Sequence, residues 1–406
     1  MRLLLYLIIL FWTLKIFPQS TFQKTFGGSN SEFFWSLQPT SDGGYILVGN
    51  TSSFGPSNSN IYLIKTNSHG DTLWTKAFGG SLSESGLFVQ QTNDGGYIVA
   101  GSTYSFGNGS NADGYLVKTD SIGNLLWSKT YGGTLNDNIT IVRQTYDGGY
   151  ILLGSTSSFG TSAIDFDVYL IKTDPNGDTL WTKTLGNTGS DNASYLQQTL
   201  DSGYVITGNT NSFGAGQDDV FLMKTDNNGS LLWTKTYGGV DSEVGSCVEQ
   251  TIDGGYIVIG KTHSFGAFSN DGDVYLIKTN NIGDTLWTKT FGGAGTDWGH
   301  SVKQTSDGGF ILVGETWSFG AGRNDVYLLK ADSRGNLIWS KTFGGTNLDH
   351  AFAVHQNNDG SFIIGGYSFS FGVGGGDFYL IKTDSAGNSW CNENNAATIT
   401  TIPTTQ

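Results

Sequence analysis

The sequence predicts an all-β protein, a seven-bladed β-propeller with four antiparallel strands per blade. Three observations carry that expectation: a repeat of 52–54 residues, four strand-like runs in each copy, and an extra strand at the N-terminus that completes the last copy.

An Asp-Gly-Gly-aromatic motif, or a near copy of it, recurs at Asp42, Asp94, Asp147, Asp201, Asp253, Asp307 and Asp359. Repetition at this period marks stacked structural units. In the sixth copy strand A is expected at Ser301–Thr305, B at Phe310–Thr316, C at Asp325–Ala331 and D at Asn336–Phe343. Strand C holds the apolar run Val326-Tyr327-Leu328-Leu329. Such a run implies burial on both faces. One blade cannot bury both faces alone, so the copies must stack, and a ring protects the edges that a linear stack leaves open.

The chain ends support a ring. Phe22-Gln23-Lys24-Thr25-Phe26-Gly27-Gly28 matches the strand D sequence Trp287-Thr288-Lys289-Thr290-Phe291-Gly292-Gly293. The seventh copy stops at Trp390-Cys391, where its own strand D should continue. Thr21–Phe26 is therefore expected as the outer strand of the seventh blade, closing the ring. Asn388–Cys391 is the competing candidate, with Trp390 in the place of Phe22.

Composition agrees. The chain has 60 glycines, 5 prolines and 13% aromatic residues, which suits short strands joined by glycine turns. A net charge of −14 argues against nucleic acid and anionic membrane surfaces as partners. Arg2 followed by an apolar run to Leu14 reads as a signal peptide ending near Ser20. The run is shorter than the ~20 residues of a membrane span, so export without a transmembrane segment is expected. The expected organisation is a signal peptide at 1–20, the propeller at 21–391 and a polar, Thr-rich tail or linker at 392–406. Cys247 and Cys391 form no CxxC motif, and a bridge between them stays open.

The Gly-Gly-aromatic strand, the second apolar strand and the later Trp resemble kelch-type blades. Lys278-Thr279-Asn280-Asn281-Ile282-Gly283-Asp284-Thr285-Leu286-Trp287 is similar to the tryptophan motif of quinoprotein propellers. The whole repeat most resembles the glycine-rich propellers of bacterial secreted and surface proteins. That resemblance implies the fold and export, and says little of function, because propellers host unrelated activities.

Comparing the copies separates scaffold from specialisation. Lysines end strand C (Lys65, Lys118, Lys172, Lys224, Lys278, Lys330, Lys382) and sit in strand D (Lys24, Lys76, Lys129, Lys183, Lys235, Lys289, Lys341). These are 14 of the 21 basic residues, so few remain for a basic patch. Eight residues after each strand D lysine stands an acid: Glu32, Glu84, Asp137, Asp191, Glu243, Asp297 or Asp349. Seven identical environments do not split carboxylate pKa values as acid–base catalysis requires. The acid ring therefore reads as an ion pair or backbone hydrogen bond repeated in every blade. The strand D tryptophans and the Phe of each Ser-Phe-Gly motif read as packing between blades. The Asp/Asn-rich turns lack the full spacing of a calcium loop, and a weak calcium site there stays open.

No Walker loop, HExxH or GxSxG motif is present. The histidines lack zinc-ligand spacing. No catalytic residue, metal or cofactor is expected. Strand direction places the D–A and B–C connections on one face, and these vary most between copies. Just after the ring acid stand Phe33, Trp298 and His350 in copies 1, 6 and 7; just after strand B stand His263, Trp317 and Phe369 in copies 5, 6 and 7. Lys261, Glu315 and Tyr367 add polar variety. In a closed ring these copies are neighbours. They are expected to form a shallow aromatic patch on that loop face for an extracellular glycan or peptide, or else to fill loop contacts. The leading expectation is thus a monomeric, secreted or surface binding module without enzymatic activity. A structural spacer of an adhesin-like protein is the second. A polysaccharide-acting enzyme is the third, and it predicts a deep, asymmetric pocket with two carboxylates outside the ring. Glu315 and Glu249 are the acids that depart from the repeat.

Overall fold

The computed structural model describes residues 20–107, 110–160, 165–267 and 271–403. Residues 1–19 of the expected signal peptide lie outside it. Each repeat forms one antiparallel sheet in the order A-B-C-D, as in blade 1, with Glu32–Pro39, Tyr45–Thr51, Asn60–Thr66 and Thr72–Phe78. Strand A is innermost, and the A strands of neighbouring blades touch around a central channel. Strand C is buried along its whole length in every blade, because it is covered on both faces by adjoining sheets.

Tryptophans join the blades. Trp74, Trp127 and Trp287 each lie over the C–D turn glycine of the next blade, where a Cβ on Gly123, Gly177 or Gly335 would meet the indole at 2.6–2.9 Å. These glycines also have φ of +75 to +78°, so both conformation and close approach demand the missing side chain. Trp74 meets Tyr97 of the next blade edge-on at 5.7 Å. Such aromatic pairs add about 0.5–1.5 kcal/mol beyond area burial. The Ser-Phe-Gly phenylalanines differ from expectation. Phe54 and Phe106 are partly exposed and stack chiefly on strand C tyrosines of their own blades, Tyr62 and Tyr115.

The N-terminal strand closes the ring. Phe22–Phe26 pairs antiparallel with strand C of blade 7, Asp377–Thr383. Phe22 stands opposite Lys382 as Trp74 stands opposite Lys65, and it covers Gly70 of blade 1 as the tryptophans cover their glycines. Trp390 takes no such place: it is 74% exposed with φ +68°.

Two features depart from the sequence reading. Strand A of blade 6 is Asp297–Gln304, so it begins at the ring acid, four residues before the expected start. The tail is also not a free linker. Glu393–Asn395 adds a fifth strand to blade 6, and Ile399–Thr401 adds one to blade 5. An edge strand needs backbone partners rather than apolar side chains, so polar composition does not disclose it. Cys247 is buried in strand A of blade 5 and Cys391 is exposed beyond blade 7; both are free thiols.

Candidate functional site

The turn face is a fixed scaffold. In blade 1 Asp42 accepts from the Gly44 N–H at 3.0 Å and from Thr40, while Lys65 reaches Asp42 at 2.8 Å and the Thr66 carbonyl at 2.7 Å. Burial alone would raise the Asp42 pKa, but bonds from Lys65, Thr40 and Gly44 prevail and lower it to about 2. Blades 2 to 6 repeat this lock, and blade 7 loosens it: Asn357 and Ser361 replace the threonine and glycine, and Lys382 stands 3.9 Å from Asp359. The Asp/Asn-rich C–D turns bond internally: Asp174 accepts from the N–H groups of Asn176 and Asp178, both at 2.8 Å.

The ring acids are internal as well. All seven are at most 1% exposed. Glu32 accepts from the Gly28 N–H at 2.8 Å and from the Thr51 hydroxyl at 2.7 Å. Asp297 accepts from Gly293 N–H at 2.8 Å and Ser318 Oγ at 2.7 Å. Each acid thus ties the D–A connection to the end of strand B. The strand D lysines go elsewhere, as Lys235 does to Asp284 in the next blade at 2.9 Å.

The channel is where the blades differ. A β-bulge interrupts strand A in every blade, between Gly299 and Ser301 in blade 6. Opposite it stands a strand B glycine. A Cβ on Gly314 would lie 1.8 Å from the Trp298 carbonyl oxygen. Bulges re-aim side chains, and this one turns both its residues toward the channel. The resulting cavity is about 580 Å³ and is asymmetric. Trp35, Trp298, His300, Phe352 and Tyr367 line blades 6, 7 and 1; Thr140, Ser194 and Ser246 line blades 3, 4 and 5.

The residues singled out in sequence distribute as follows. Trp298, His350 and Tyr367 line the cavity. Phe33 meets Tyr367 edge-on at 5.3 Å and Phe369 at 6.2 Å, so Phe33 and Phe369 support the aromatic wall. His263 turns to the Ser242 carbonyl at 3.1 Å. Trp317 stands apart on the outer rim, 52% exposed.

Glu315 organises the wall. It contacts His350 directly and His300 at 3.7 Å. Burial opposes its charge, but the two imidazoles outweigh burial and hold its pKa well below the carboxylate range. His300 lies between Trp298 at 5.0 Å and Phe352 at 4.7 Å, and His350 lies against Tyr367 at 4.6 Å. Lys261 stands over the Trp298 ring at 4.4 Å; burial, partly offset by Glu315, lowers its pKa.

A second group lies deeper in the channel. Arg143 donates to the Tyr195 hydroxyl and lies over the rings of Phe88 and Tyr195 at 4.5 and 5.3 Å. Lys303 pairs with Glu249 at 2.8 Å, and Glu249 also accepts from the Gln304 N–H at 3.1 Å. His355 bonds the Leu37 carbonyl at 3.1 Å, and burial with Lys303 nearby lowers its pKa to about 3. Among the described residues no group of three or more His, Cys, Asp or Glu is arranged to hold a metal.

Sequence reading missed Trp35, His300, Phe352, Arg143 and Lys303. The signal was present: these occupy the same two strand A positions that vary between copies. Starting strand A late assigned the first of these positions to a loop.

A family model described as "Outer membrane protein assembly factor BamB" matches residues 12–281, about two thirds of the chain. It bears out the quinoprotein-like side of the resemblance. No curated protein matches the chain. Among solved structures, the Pan2 WD40 domain of Neurospora crassa is 11% identical, with 88% of this chain and 89% of that one covered, at a TM-score of 0.50. A protein of unknown function from Dyadobacter fermentans is 12% identical, covering 89% and 97%, at 0.47. A puromycin hydrolase is 13% identical, covering 86% and 52%, at 0.47. At these identities the likeness concerns the fold alone. No helix among the described residues is long and apolar enough to cross a membrane.

Proposed function

The chain belongs to the family of the outer membrane protein assembly factor BamB, and from that premise we propose that it is an exported, non-enzymatic recognition module that binds carbohydrate in the aromatic sector of its channel. The observation that carries this reading is the asymmetric cavity, with most of its aromatic rings on blades 6, 7 and 1, facing a wall where the hydroxyls of Thr140, Ser194 and Ser246 stand among Leu87, Ile141 and Val244. A sugar ring has apolar C–H faces and a hydroxyl edge, and such a cleft meets both. Sites of this size are lined mainly by apolar surface with a few placed polar groups.

Carbohydrate and peptide arrays probed with the purified chain test the proposal. Specific glycan binding is expected, weakened about tenfold or more by Trp298→Ala, a loss of about 1.4 kcal/mol. Asn192→Ala, in the opposite half, should leave it unchanged. Silence of the folded protein on the glycan array overturns the reading. Binding confined to peptides would favour a protein-assembly role like that in the family's description.

A hydrolytic reading draws support from His350 held by Glu315 inside the pocket. Against it, both acids outside the ring are already engaged, Glu315 by His350 and His300 and Glu249 by Lys303. A general acid needs a raised pKa, and that of Glu315 is lowered. Product release from an oligosaccharide panel, lost on Glu315→Gln, would establish this reading in place of the first.

A further inference from the structure

We propose that the deep end of the channel receives a carboxylate, so that the ligand is an acidic sugar whose hexuronate group docks on Arg143. This rests on the carbohydrate reading above and names the chemical class of its ligand.

Arg143 is a cation without an anion. Its guanidinium carries five donors. Among the described residues it donates one hydrogen bond, to the Tyr195 hydroxyl, and its Nε is buried with no hydrogen-bond partner. No carboxylate of the described residues lies within 4 Å of it. The nearby acid, Glu249, is already engaged by Lys303 at 2.8 Å and by a backbone N–H. The rings of Phe88 and Tyr195 lie against the guanidinium at 4.5 and 5.3 Å and offer it no acceptor beyond the Tyr195 hydroxyl. Arg143 as a whole is half-buried, but a donor such as its Nε, shut away without an acceptor, is costly unless a ligand supplies one. The guanidinium fork matches a carboxylate in two parallel bonds.

Charge placement agrees. The deep group holds Arg143 and Lys303 against Glu249 alone, in a protein of net charge −14. A positive spot in so acidic a molecule selects for an anion that can reach it. Arg143 and Trp298 occupy the seventh and second positions of their A strands. At ~3.3 Å per residue these levels are roughly 15 Å apart along the channel. The span between them is lined by Trp35 and Phe352 on one side and, on the other, by Thr140, Ser194 and Ser246 together with Leu87 and Ile141. A short oligosaccharide with a terminal uronate can stack on the rings, bond the hydroxyls and place its carboxylate at Arg143.

Titration calorimetry with digalacturonate and with neutral digalactose tests this. The acidic sugar is expected to bind about tenfold tighter or more, the scale of a charged hydrogen bond. Arg143→Gln should remove that advantage, so that the ratio of the two affinities falls to about one, and Arg143→Lys should keep part of it. Circular dichroism checks that both variants fold. Equal affinity for the two sugars in the unaltered protein overturns the carboxylate assignment. If Trp298→Ala still abolishes that equal binding, the carbohydrate reading stands. Binding of neither sugar by folded protein removes both readings. A preference that survives in folded Arg143→Gln moves the anion site elsewhere and also overturns the assignment.

Discussion

Blades 2 to 4 and blades 5 to 1 share one backbone and present different walls to the channel. At the fourth position of strand A, blades 2, 3 and 4 carry Leu87, Thr140 and Ser194, while blades 6, 7 and 1 carry His300, Phe352 and Trp35, all of them lining the channel. The strand, the bulge and the glycine opposite it are the same in both halves. Side chains that point between sheets are held by two neighbours and cannot vary without loss of packing. Those that point into the channel meet open space and can. Specialisation is therefore confined to a few channel positions per blade.

The largest expected effect tests the shared part. A Cβ at Gly154 would lie 1.7 Å from the Asn138 carbonyl oxygen, and one at Gly314 would lie 1.8 Å from that of Trp298. Backbone cannot yield as a flexible side chain can. Gly154→Ala and Gly314→Ala should each destabilise by about 3 kcal/mol or more, alike in both halves, as read by chemical denaturation. A large loss in one half alone would break the equivalence of the two backbones.

The fold was legible because it is written seven times. Asp307-Gly308-Gly309, Trp287 and Lys330 each have a counterpart in every or nearly every copy, and repetition exposes a structural requirement without any other sequence for comparison. Ring closure was legible because Phe22–Phe26 copies strand D. The site was legible only in part. Trp298, His350 and Tyr367 stood out as departures, whereas Arg143 and Lys303 occupy a position where Gln38, Gln90 and Gln197 look unremarkable. The bulge hid His300 and Phe352, because it breaks the two-residue alternation by which a strand is recognised. The tail strands were illegible, since their pairing uses backbone groups.

The tail provides the next test, of intermediate size. It covers strand D of blades 5 and 6, whose outer strands are more buried than Thr72–Phe78 of blade 1. Removing residues 392–406 should lower the melting temperature by a few degrees and promote self-association through the bared edges. Light scattering and thermal denaturation measure both. Channel binding should persist. An unchanged melting temperature would mean that the added strands do not stabilise blades 5 and 6.

Acidity separates the scaffold acids themselves. Burial raises Asp297, Asp325 and Asp377 to about 6, with a carboxylate of an adjoining blade close to each. Asp42, Asp94 and Asp307 are lowered to about 2. The first group binds more protons folded than unfolded between pH 4 and 6, so stability falls as pH rises through that window. The second binds fewer folded than unfolded between about pH 2 and 4, so stability falls as pH drops through it. Together they place the maximum near pH 4; His355, whose pKa is lowered to about 3, binds fewer protons folded than unfolded up to about pH 6.5 and offsets part of the decline above it. Blade 1 has Asn60 in place of the strand C aspartate, beside Glu84. Asp325→Asn and Asp377→Asn should therefore flatten the decline above pH 4. Denaturation midpoints that climb steadily from pH 4 to 6 would contradict the assignment.

The smallest effect concerns the two thiols, which report on the channel and on the outer edge. Cys247 borders the cavity yet is only 1% exposed, and burial raises its pKa. Cys391 is exposed. Because the thiolate is the reactive form, iodoacetamide at neutral pH should modify Cys391 and spare Cys247 until the protein unfolds. Mass spectrometry would then count a single label on the native chain and a second after denaturation. A native chain that takes none would show that the edge beyond blade 7, where Cys391 lies, is covered. Labelling of Cys247 in the native state would show that the channel wall opens, and would move that wall from the rigid part of the comparison to the mobile one.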